Sequence, residues 1–107
     1  MTSASQQLLA AVERLAAAAD EQEAYLRQLG TAPSADELAL EFTDAFVVAR
    51  ERLDESAADA ATRLDDYLVE ISGSDKAELW TVSALRDAPE WVRVRHLAGV
   101  VLRRLRR

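Results

Sequence analysis

The stretch from Ser34 to Ser72 holds neither proline nor glycine and repeats its apolar side chains at helical spacing; no other feature limits the fold so strongly. Leu38, Phe42, Phe46, Ala49, Leu53, Ala57, Ala60, Leu64, Leu68 and Ile71 recur every three or four positions, which puts them on one face of an α-helix. Ser34, following Pro33, is the expected N-cap, with Glu37 three residues on to complete a reciprocal capping box. Gly73 is the expected C-terminal cap in a left-handed conformation. The expectation is one helix over 35–72, about 57 Å long at 1.5 Å per residue. Its weakest point is Asp54-Glu55-Ser56, where three poor interior residues adjoin.

Three further helices are expected around it. The first spans about 5–29, with Leu8, Val12, Leu15, Ala19, Gln22, Leu26 and Leu29 in an alternating four-three pattern, a heptad seam with one polar member. Gln22 is read either as a register-setting coiled-coil residue or as the edge of an ordinary bundle contact. Gly30-Thr31-Ala32-Pro33 then stops the helix and reverses the chain, so an antiparallel hairpin with the long helix follows. Ser74 is the expected cap of a helix over 75–86, and Asp87 with Pro89 and Glu90 the start of another over 89–106. Trp91-Val92-Arg93-Val94-Arg95-His96 alternates as a strand would, but the caps and the apolar stripe that follows favour helix. The fold class expected is therefore an all-α bundle in a single domain of 107 residues, with one long central helix.

Charge is divided along the chain. Residues 1–90 carry all 19 acids against seven bases, a net −12, whereas residues 91–107 carry six arginines and no acid, a net +6. Alanine supplies much of the apolar content, so close helix contacts and a thin core are expected, with the few aromatic side chains as anchors. The absence of cysteine excludes disulfides, thiol catalysis and cysteine-ligated zinc. No basic residue precedes an apolar run in Met1–Gln7, and nowhere do eighteen apolar residues adjoin, so a cytoplasmic chain that does not enter membranes is expected.

Residues that could carry chemistry are few. Glycine occurs only at 30, 73 and 99, so no glycine-rich phosphate loop exists, and no serine has a base placed beside it. His96, the single histidine, has no second histidine to join in a metal site, and Asp65-Asp66 project about 100° apart on a helix rather than converging. Glu37, Glu41, Asp44, Glu51, Glu55, Asp59 and Asp66 form an acidic ridge, read as a solvated face or as a dock for an arginine-rich helix. Asp20-Glu21-Gln22-Glu23 and Glu41-Phe42-Thr43-Asp44 offer carboxylates three apart on two helices. This pattern resembles the paired acidic motifs of the all-α nucleoside triphosphate pyrophosphohydrolases, and the resemblance implies a Mg²⁺ site at Asp20, Glu23, Glu41 and Asp44.

The reading that fits most of these features is a non-catalytic protein-interaction or oligomerisation module without cofactor or metal, partnered as a homodimer or within a hetero-assembly. The contact residues expected are Leu8, Val12, Leu15 and Leu26 on the first-helix seam, and Trp91, Arg95, Arg103 and Arg104 on the last helix. Nucleic acid is a second class of partner, with the pair 75–86 and 89–107 docking as a helix-turn-helix.

Overall fold

Asp54 divides the long helix. In the computed structural model, which describes residues 3–29 and 34–106, α3 (Asp36–Ala49) runs into a 3-10 turn (Arg50–Arg52), and Leu53 and Asp54 are extended. The Asp54 side chain accepts a hydrogen bond from the Ala57 amide at 2.8 Å and so caps α4 (Glu55–Glu70). A carboxylate here satisfies an orphan N–H at a new helix start, which offsets the hydrogen bonds lost on breaking the old helix. Length required the break as well: a ~57 Å rod at 1.5 Å per residue exceeds the 35 Å longest dimension of the molecule.

The first helix is also two. α1 (Ala4–Ala16) is capped by Ser3, whose hydroxyl accepts from the Gln6 amide while Gln6 returns a bond to the Ser3 amide. Ala17 and Ala18 are extended, and α2 (Ala19–Gln28) follows with Asp20 and Glu21 in its first turn, where acids complement the positive end of the helix dipole. Alanine is the best helix former, so local propensity opposes this break. What favours it is tertiary. Gln22, 1% exposed, donates from Nε2 to the Arg14 and Leu15 carbonyls at 3.0 and 3.1 Å, which closes the C-terminus of α1 from the side. Gln22 therefore serves as neither a coiled-coil register residue nor a rim contact.

Residues 75–86 depart from a single helix too. A 3-10 segment (Ser74–Trp80), kinked at Lys76, ends at Thr81, whose hydroxyl accepts from the Ala84 amide and starts α5 (Val82–Asp87). Gly73 has φ +135°, ψ 156°, a region L side chains rarely adopt but not the left-handed cap expected. α6 (Pro89–Leu105) begins with proline in its first turn as expected, but after Ala88; Asp87 closes α5 instead of capping α6. Ser34 accepts from the Asp36 amide, at 3.3 Å, rather than forming a box with Glu37. The reversal expected at Gly30–Pro33 lies outside the described residues.

The four longest helices form the body. α1 packs on both α3 and α6, and α6 on both α1 and α4. Arg14 reaches Glu41, and Gln7 and Val48 line one groove, so α1 and α3 are antiparallel. Arg104 reaches Ser56 and Arg93 reaches Tyr67, so α4 and α6 are antiparallel. Arg95 at Gln22, with Leu105 beside Ser5, sets α6 against α1 in the same way. α3 and α6 thus point in one direction from opposite corners. Leu8, Val12, Leu15, Phe42, Leu64, Trp91, Val94 and Val101, each at 0% exposure, fill the space between.

One end of this body is closed by α2, the 3-10 segment and α5. Trp91 donates its indole N–H to the Leu79 carbonyl at 2.6 Å and Trp80 donates to Ile71 at 3.0 Å, while the two rings meet edge to face at 5.4 Å. The Ala35 amide donates to the Trp80 carbonyl at 3.0 Å. One indole thereby satisfies a carbonyl of the irregular segment and the other a carbonyl at the end of α4, and together they tie the segment to α6 and α4.

Replacing Gln22 by alanine should leave two helix-terminal carbonyls and part of the Arg95 guanidinium without their partner, costing about 2 kcal/mol. Asp54→Ala should cost about 1 kcal/mol through loss of the cap. Denaturant unfolding followed by circular dichroism measures both, and an unchanged Gln22→Ala midpoint would remove the amide from any structural role.

Candidate interaction surface

The seam expected to meet a partner is turned inward. Leu8, Val12 and Leu15 have no exposed surface, Leu26 has 1% and Trp91 none, all within the chain's own core. The reason is the four-three pattern itself: it describes any helix with two packed flanks, and α1 has α3 on one flank and α6 on the other.

The arginines of α6 divide into two groups. Arg95 is half-buried, donating from Nη1 to Gln22 Oε1 at 3.2 Å and to the Leu85 carbonyl at 2.9 Å. Loss of hydration lowers its pKa from the ordinary arginine value. Arg104 donates to the Ser56 carbonyl at 3.1 Å in a cleft also lined by Asp54, Glu55 and Asp59, but its bond is to the backbone, and Asp59 pairs with Arg63 of its own helix at 3.3 Å. Arg106 pairs with Glu13 at 2.9 Å, and the Arg93 guanidinium lies 5.2 Å from the Tyr67 ring centre. Arg103 is exposed and has no hydrogen bond or ion pair among the described residues. α6 is held between α1 and α4 along its length, and its partner in the expected helix-turn-helix is reduced to the six residues of α5.

Three of the four carboxylates of the pyrophosphohydrolase-like pattern are engaged separately, and the fourth, Asp44, is exposed on the rim of a groove between α1 and α3. Glu23 on α2 bonds Arg86 at 2.7 Å and Arg27 at 3.4 Å, while Asp20 accepts from the Glu21 amide at 3.0 Å. Glu41 on α3 accepts from the Tyr25 hydroxyl, and its other oxygen lies 3.5 Å from Arg14 Nη1. Among the described residues no three or more histidine, aspartate or glutamate side chains are placed to share a metal ion.

What the structure leaves uncovered is the outer side of α3. Leu40, Val47 and Val48 are 54%, 72% and 62% exposed on one helix of fourteen residues. Beside them a groove of about 560 Å³ runs between α1 and α3, floored by Ala10, Ala11, Ala45 and Val48 and rimmed by Gln7, Arg14, Glu41 and Asp44. At one end of this groove Arg14 covers the Tyr25 ring at 4.5 Å, fixing the rim. Glu41 Oε1 is buried there and accepts no hydrogen bond. Burial, followed by the hydrogen bond to Glu41, raises the Tyr25 pKa above the ordinary phenol value. Acids at Asp36, Glu37, Asp44 and Glu51 surround the apolar residues. The sequence signal for this surface was present in Leu40, Val47 and Val48, which lie off the main stripe, but it is visible only once the stripe is known to be filled.

No helix among the described residues is long and apolar enough to cross a membrane. Comparison with protein-family models, with curated proteins and with solved structures finds no match to this chain.

The hydrogen bond from Arg86 holds the Glu23 carboxyl below its ordinary pKa. Because the folded value is lowered, the stability this pair adds is present above the ordinary glutamate range and disappears as pH falls through the folded value. A carboxyl ¹³C titration should place Glu23 below the usual range and return it there in Arg86→Ala; an unmoved midpoint would show that the pair is not formed in solution.

Proposed function

We propose that this protein is a non-catalytic interaction module that receives a basic, amphipathic helix against α3 and the α1–α3 groove. The observation that carries this reading is the juxtaposition of Leu40, Val47 and Val48, three large apolar side chains more than half exposed, on the helix that also bears Asp44. Single exposed apolar residues are ordinary, whereas several on one face beside a groove mark a contact surface. The alanine floor allows a close approach, and the rim carboxylates Glu41 and Asp44 select for cations. A lysine or arginine lying over the groove can rest its methylene stem on Ala10 and Ala45 and present its charge to the exposed Asp44 carboxylate.

The mode of recognition is a helix laid along a groove, with anchors at helical spacing and charge setting orientation. It requires no cofactor and no bond-making step.

A synthetic helical peptide with leucine on one face and lysine on its flanks is the direct probe. Amide resonances of Leu40, Asp44, Val47 and Val48 should shift on titration, and the Val48→Asp protein or a glutamate-for-lysine peptide should abolish the shifts. A saturating titration that leaves α3 unperturbed would refute the reading.

A further inference from the structure

The partner helix can be named from the chain itself. α6 shows an outer stripe of Val92, His96, Gly99 and Arg103, spaced four, three and four residues apart, in a region that contains no acid. Val92 is 57% exposed, and His96 and Arg103 are exposed. Gly99 is half-buried, and what lies over it is the long Arg103 side chain, whose guanidinium a Cβ there would meet at 3.7 Å, with no second side chain as near. The outer stripe of α3 and the turn that continues it has the same spacing: Leu40, Asp44, Val47 and Glu51.

Laid parallel, the two stripes match at every step. Leu40 meets Val92, Asp44 meets His96, Val47 enters the gap at Gly99, and Glu51 meets Arg103. Laid antiparallel, Leu40 would face Arg103 and Glu51 would face Val92, so both charges would be desolvated against apolar side chains, which is costly. An α3-to-α3 pairing fails in both directions: laid parallel, Asp44 and Glu51 would be set against their own copies, and laid antiparallel, Asp44 would face Val47 and Glu51 would face Leu40, desolvating all four carboxylates against apolar side chains. Within one molecule α3 and α6 already run in the same direction on opposite corners, each antiparallel to α1. A second molecule displaced along that diagonal, without rotation, therefore presents α6 parallel to the first molecule's α3.

We infer that the occupant of the α3 surface is α6 of a second copy of this chain, in a head-to-tail contact. This deepens the proposed function and rests on it. Such a contact is heterologous: a joined pair keeps one free α3 and one free α6, so assembly continues rather than closing at two. One helix face covers well under the ~800 Å² per partner of a stable complex, so association is weak and concentration-driven.

Sedimentation of the full chain from about 10 µM to about 1 mM, a span covering weak affinities, should show a mass that rises without a plateau at the dimer and falls in about 0.5 M salt, where exposed charge pairs are screened. Val47→Glu, which blocks α3, and Arg103→Glu, which blocks α6, should each be monomeric. Mixed, the two variants should form a dimer of one molecule of each and nothing larger, because only one α3–α6 contact remains available. Both substitutions are at exposed positions, and unchanged helical circular dichroism verifies the fold. A wild-type chain monomeric at about 1 mM, a closed dimer, or a mixture that stays monomeric overturns the head-to-tail contact. If the leucine–lysine peptide still shifts α3 in that event, the interaction surface stands and its occupant is another protein; if it does not, both fail together.

Discussion

The structure depends on a polar knot at one end of the bundle. Gln22 turns its amide N–H groups to the last carbonyls of α1 and its oxygen to Arg95, and Arg95 passes a second bond to the Leu85 carbonyl of α5. Four helices meet through two side chains. The arrangement works because helix C-termini present unpaired carbonyls with partial negative charge, and a guanidinium or amide supplies donors in the right direction. Arg95 gives up hydration to do this, and every acceptor it meets is a dipole rather than a carboxylate. The end of the bundle is thereby closed without a buried ion pair.

Breaks in the helices follow from the same exchange. A chain of this length cannot bury its apolar residues along one long rod, so the rod folds, and each fold must satisfy the backbone groups it frees. At Asp54 and Thr81 the residue at the break provides the cap itself. At Ala17-Ala18 it cannot, and Gln22 provides it from the next helix. Trp91 does for the 3-10 segment, and Trp80 for the end of α4, what Gln22 does for α1, with large apolar surface added.

Charge asymmetry along the chain becomes asymmetry across the molecule. Several arginines of α6 are absorbed by neighbours, among them Arg93 over Tyr67, Arg104 at Ser56 and Arg106 at Glu13. Arg103, with Val92 and His96, faces away from the bundle on one side, while α3 shows acids and apolar residues on the other. Opposite faces of opposite character, on parallel helices, are what head-to-tail association requires.

The sequence by itself determined the all-α class, the absence of strands among the described residues, the start of α6 at Pro89, and the weak point at Asp54. These follow from spacing, proline geometry and capping, which act over a few residues. It also marked Leu8, Val12, Leu15, Leu26 and Trp91 as apolar residues to be covered, but as contacts to a partner, whereas they are buried in the chain's own core. Only the tertiary structure decided what they contact. A heptad seam has the same spacing whether its partner is another chain or the next helix, and the break at Ala17-Ala18 carries no signal in its own residues because the bonds that close it come from Gln22 on the next helix, itself held by Arg95, 73 residues further on. The exposure of Leu40, Val47 and Val48 was decided at the same level: a helix face is open or covered according to which neighbours the fold brings to it, and α3 was given α1 and α4 on its inner sides and, among the described residues, no helix over its outer one.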